Sequence, residues 1–96
     1  AMVSYRTHVQ DIGWQEYVSD GEMSGTSGQS KRLEAINIKL SSSINGGIQY
    51  RTQIQDIGWQ DWKENDQMSG TAGQSKRLEA IQKMEKHQEV KDMQNA

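Results

Sequence analysis

Ninety-six residues, 32% of them hydrophobic and none of them Phe, make one small domain or two very small units that lean on each other. A formal charge of -2 excludes a broad basic footprint for nucleic acid, and the lack of Cys excludes disulfides and thiolate metal sites. No apolar run approaches the roughly 20 residues that span a bilayer, so neither nucleic acid nor a membrane is an expected partner.

The chain opens on a predicted strand. Val3, Tyr5, Thr7 and Val9 alternate with Arg6, His8 and Gln10, the period-two pattern of a half-buried strand. A second short strand is predicted over Trp14 to Val18. A Gly-rich crossing follows, Met23-Ser-Gly-Thr-Ser-Gly, and then a third strand from Arg32 to Leu40. Its parity changes midway, with Leu33 and Ala35 on one face and Ile36, Ile38 and Leu40 on the other. Either both faces are covered or a bulge re-aims the strand. A helical turn over Gln29 to Glu34 is the competing reading.

After the Ser/Gly-rich connector SSSINGG the same elements return. Tyr5–Ile36 aligns without a gap on Tyr50–Ile81 at an offset of 45 residues, with 22 of 32 positions identical, so the chain is a tandem repeat. Ile48, Tyr50, Thr52 and Ile54 repeat the first strand, and Trp59 to Lys63 the second. The differences concentrate where Val18–Glu22 becomes Lys63–Gln67, a surface turn in character. Beyond Ile81 the copies part. Lys83 and Glu85 replace Ile38 and Leu40, and a charged end follows, helical or disordered, with Ile81, Met84, Val90 and Met93 as a broken apolar stripe. The expected organisation is a first repeat over 1–45, a second over 46–82 and a tail over 83–96.

The candidate ligand-binding residues are Asp11, Trp14, Gln15 and Tyr17, with their counterparts Asp56, Trp59, Gln60 and Trp62. Each Trp either fills the core, as large aromatics do in small domains, or stacks on a sugar ring or peptide with the following Gln donating hydrogen bonds. In a flat strand, residues three apart point to opposite faces, so Trp14 and Tyr17 are expected to look in opposite directions, as are Trp59 and Trp62. The two Asp residues either meet ligand hydroxyls or cap a turn. Arg32 with Glu34, and Arg77 with Glu79, lie on the same face of a strand and are expected as buried ion pairs organising each unit. Two His and no Cys argue against a metal site, and no cofactor is expected. GTSGQSK is no phosphate loop, because Lys31 follows Ser30 rather than a glycine. Acidic residues such as Asp11 and Glu16 recur as Asp56 and Asp61. Duplication favours a binding surface over an active site, since linked contacts gain avidity.

HVQDIGWQ, a variable turn, and then GTSGQSKRLEAINIKL resemble the ChW repeat, the clostridial hydrophobic repeat with a conserved Trp. The resemblance covers 3–40 and 48–81. It implies a non-catalytic module that binds the glycan or peptide of a Gram-positive cell wall. Such modules occur in surface and secreted proteins and in the targeting parts of phage endolysins and autolysins, so a protein secreted or delivered to the wall is implied. The opening Ala1-Met2 is compatible with a domain whose neighbours lie upstream. A protein-binding adhesion or assembly module is the alternative. The fold class expected is all-β, two tandem antiparallel units of about 45 residues in a β-prism or β-trefoil-like arrangement. Those closed arrangements need three units and only two are present, so a homo-oligomer that covers the exposed edges is expected.

Overall fold

The computed structural model describes residues 3–41 and 47–86. It is all-β and antiparallel, with no helix among these residues. The first repeat holds β1 (Val3–Val9), β2 (Gly13–Trp14), β3 (Val18–Ser19) and β4 (Leu33–Leu40). The second holds β5 (Gly47–Ile54), β6 (Gly58–Trp59), β7 (Lys63–Glu64), β8 (Met68–Gly70) and β9 (Leu78–Lys86). In each, the first strand is central, with the two-residue strands on one side and the long last strand on the other. Residues 29–32 run as bends and open chain into β4, so the competing helical turn does not form.

The period-two reading is met most fully in β5, where Ile48, Tyr50, Thr52 and Ile54 are buried and the residues between them are not. Both alternatives offered for β4 are realised. His8 pairs with Ala35 and Val9 with Leu33, so Glu34 is an extra residue, a β-bulge. Beyond it the consecutive Asn37 and Ile38 are both buried, so both faces are covered.

The strand β8 belongs to the second repeat by sequence, yet it pairs with β4 of the first, matching Ala35 to Gly70, Ile36 to Ser69 and Asn37 to Met68. This strand joins the two sheets. Around it lies the main core, Ile38, Ile48 and Tyr50, with Val3, Tyr5, Ile36 and Leu40 packed against it. Gly70 makes the approach possible: it sits at φ +114°, and a Cβ there would stand 2.5 Å from the Glu34 carbonyl oxygen.

The charged end departs from expectation at its start. Lys83 to Lys86 are neither helical nor irregular but continue β9, paired with Gly47 to Tyr50 of β5. The backbone of β5 offers partners along its whole length, and ladder hydrogen bonds outweigh the poor strand propensity of Lys and Glu. Residues 42–46 of the SSSINGG connector and the tail from residue 87 onward lie outside the described residues.

Candidate functional site

In each repeat an arginine of the central strand stacks between two aromatic rings. The Arg6 guanidinium lies 4.7 Å from the Trp14 ring centroid and 4.9 Å from that of Tyr17. Arg51 lies 4.7 Å from Trp59 and 4.8 Å from Trp62. The expectation of opposite directions is therefore overturned, because both members of each pair occupy one face. The register explains it. His8 pairs with Trp14 and Tyr5 with Val18, so three steps along β1 face four steps along the other chain segment. The second repeat does the same, with Gln53 opposite Trp59 and Tyr50 opposite Lys63. One extra residue reverses the alternation and brings Tyr17 and Trp62 to the side of Trp14 and Trp59.

Neither Trp14 nor Trp59 fills the core. Trp14 is half-buried, edge-on to His8 with ring centroids 5.4 Å apart. Trp59 and Trp62 are 44% and 37% exposed. Tyr17 is covered further by Lys39, whose Nζ lies 4.0 Å from its ring centroid, and it donates a hydrogen bond to Asp66 of the second repeat. Burial, and then the Asp66 carboxylate, push the Tyr17 hydroxyl above its ordinary pKa. Trp62 stands at the matching position of the second repeat without a hydroxyl, so the second stack is the more open. Beside it lies an open cleft of about 350 Å³ bordered by Ile57, Trp59, Gln60, Asp61, Lys63, Met68 and Gly70.

The remaining candidates serve the fold as well as the surface. The side-chain oxygens of Gln15 and Gln60 each accept a hydrogen bond of 2.8 Å, from the backbone NH groups of Gly25 and Gly70. Asp11 and Asp56 sit exposed on the turns after β1 and β5 at φ 65°, a left-handed conformation that Asp tolerates. They are not part of the stacks, and Asp56 lies 3.9 Å from Lys76. The Arg32–Glu34 pair forms at 2.9 Å on a buried Glu34, with His8 Nδ1 3.0 Å from its other oxygen. Arg77–Glu79 also forms at 2.9 Å, but in the open, so the expectation of a buried pair fails in the second repeat.

What sequence reasoning missed is the arginine at the centre of each stack. Arg6 and Arg51 were legible only as the polar half of an alternating strand. The signal was their identity in both copies, two residues from the position facing Trp. A planar cation over two rings gains from the π-face of each. Among the described residues no group of three His, Asp or Glu side chains is placed to hold a metal ion.

Neither the curated proteins nor the solved structures offer a match to this chain. The family model described as Clostridial hydrophobic W matches residues 8–42 and again 53–82, well over half of the chain and one match per repeat. Each matched segment carries its Trp, its Gly-rich crossing and the start of its Arg-x-Glu-Ala strand; the chain belongs to the ChW repeat family.

Proposed function

We propose that this tandem ChW module is a non-catalytic cell-wall-binding unit. It holds an attached lytic enzyme on the glycan or peptide of a Gram-positive wall. The observation that supports the reading is the Trp59–Arg51–Trp62 stack, exposed beside an open cleft of about 350 Å³. Flat rings suit the apolar faces of sugar rings, while Asp61, Lys63 and Gln60 at the cleft suit hydroxyl, amine or peptide groups. The first repeat repeats the arrangement with Trp14 and Tyr17, and two linked weak contacts on a polymer gain avidity.

The test is co-sedimentation with purified Gram-positive walls stripped of protein. Trp59→Ala combined with Trp62→Ala is expected to weaken binding by about 5- to 150-fold, at roughly 0.5–1.5 kcal/mol per lost aromatic contact. Trp14→Ala is expected to weaken it less, since that ring is already half covered. Far-ultraviolet circular dichroism checks that the variants fold. Capture by intact walls but not by stripped ones would shift the function to binding a surface protein.

A further inference from the structure

The outer edges of β4 and β9 are the same edge in successive repeats, but among the described residues only that of β4 carries a strand. On β4, the Glu34 and Ile38 carbonyls accept hydrogen bonds from the Thr71 and Asp66 NH groups at 2.9 and 2.7 Å. Alternation places the backbone groups of Ile36 on that edge too. At the offset of 45 residues the equivalent edge groups belong to Glu79, Ile81 and Lys83. Ile81 is 47% exposed there, whereas Ile36 is packed against the inter-repeat core.

The strand that β4 receives has a twin with no β partner among the described residues. Met23-Ser-Gly-Thr repeats Met68-Ser-Gly-Thr letter for letter, yet Met68–Gly70 is a strand and residues 23–25 are not. The difference is not in their conformation. Gly25 has φ +116° against +114° at Gly70. Ser24 meets the Thr7 hydroxyl at 2.8 Å as Ser69 meets that of Thr52. The Gln15 oxygen holds the Gly25 NH as Gln60 holds that of Gly70, and Tyr5 donates to the Glu22 carbonyl as Tyr50 does to that of Gln67. The segment is already shaped for an edge it does not meet. A Cβ on Gly25 would touch only Leu33 Cδ2, at 3.3 Å, where one on Gly70 strikes the β4 backbone.

We propose that copies of this chain associate head to tail, the Met23–Gly25 segment of one lying on the outer edge of β9 of the next, in the register of β8 on β4. That register pairs Ala80 with Gly25, Ile81 with Ser24 and Gln82 with Met23 of the second copy. It also sets Lys83 beside the acidic Asp20-Gly-Glu22 turn. The contact is heterologous: among the described residues each chain offers one donor segment and one acceptor edge, so association continues past the dimer unless the rotation closes a ring. It is weaker than its intramolecular original. Lys83 replaces Ile38, Trp62 replaces the Tyr17 that bonds Asp66, and no connector raises the effective concentration. The proposal does not depend on the wall ligand.

Sedimentation velocity over rising concentrations tests it. The wild-type distribution is expected to move beyond the dimer. Ile81→Pro, which removes an outward NH from an edge strand, and Gly25→Ala, which adds the obstructing Cβ, are each expected to remain monomeric. Mixed together they are expected to stop at a dimer, because one live donor and one live edge remain. A wild-type chain monomeric up to about 1 mM overturns the proposal, as does a folded Gly25→Ala that still assembles. Should Gly25→Ala lose its fold, Met23→Cys with Gln82→Cys replaces it. These positions form a pair facing away from the ladder bonds, with Cα atoms about 4.5 Å apart, within disulfide reach. Oxidation is then expected to give a ladder of linked multimers, and an unlinked monomer overturns the proposal.

Discussion

Glu34 and Glu79 occupy the same bulge in two repeats of nearly the same sequence, yet the Glu34 side chain is 4% exposed and that of Glu79 33%. The cover is β8, donated by the second repeat to the first and by nothing among the described residues to the second. The same contrast separates Tyr50, fully buried in the inter-repeat core, from Tyr5, packed at its margin. It separates Tyr17, tied to Asp66, from the open Trp62. Position in the array, more than local sequence, decides which copy of a residue is covered and which is left exposed.

The largest effect is expected from the core pair. Tyr50→Ala removes a side chain that is fully buried and whose hydroxyl accepts from the Ile38 NH at 3.1 Å. A loss of about 3–5 kcal/mol is expected by urea unfolding. Tyr5→Ala is expected to cost clearly less, and equal losses would mean that the two repeats bury their tyrosines alike.

Next come the bulge carboxylates. Glu34→Ala strands Arg32 and is expected to cost about 2–3 kcal/mol, the range of a charge-assisted hydrogen bond lost from a buried site. Glu79→Ala breaks the same pair in the open and is expected to cost less than about 1 kcal/mol. Thermal unfolding of both, side by side, gives the difference directly.

The two matched glycines sharpen the comparison further. Both substitutions to Ala carry the strain of a left-handed backbone, but only Gly70→Ala adds a collision with the β4 backbone. The collision is expected to add about 1–3 kcal/mol over Gly25→Ala at concentrations where the chain is monomeric.

The smallest effect is a pH dependence. Burial raises the pKa of both Tyr17 and Tyr50 above the ordinary 10.0, and the Asp66 charge adds to this in each case. The fold thus favours the neutral phenols. Their contribution is whole below about pH 10, where unfolded tyrosine begins to ionise, and is lost as pH rises through the higher folded values. Urea midpoints measured across this window are expected to fall, and to fall less in Tyr17→Phe with Tyr50→Phe. Tyrosinate absorbance reports the ionisation itself.

Much of the fold was legible because strand alternation is written in side-chain character. Ile48, Tyr50, Thr52 and Ile54 declare their face, and the parity change after Ala35 left a bulge and two covered faces as alternatives, with the bulge residue Glu34 fixed only by the pairing register. The site was legible only as a set of residue types. A straight strand puts Trp14 and Tyr17 on opposite faces, and the inserted residue that reverses them shows only in the pairing register. Lys83 to Lys86 misled for the opposite reason: their side chains suit a solvated tail, but the β5 backbone opposite them asks only for NH and carbonyl groups.

The sequence by itself determined that there are two copies of one antiparallel unit, which residues alternate along the first strand of each, and that each copy brings the same aromatic and polar residues. Tertiary structure alone decided that Met68–Gly70 becomes a strand while the identical Met23–Gly25 does not. A β-strand is defined by the partner that completes its hydrogen bonds, and identical letters carry no information about which neighbour supplies one.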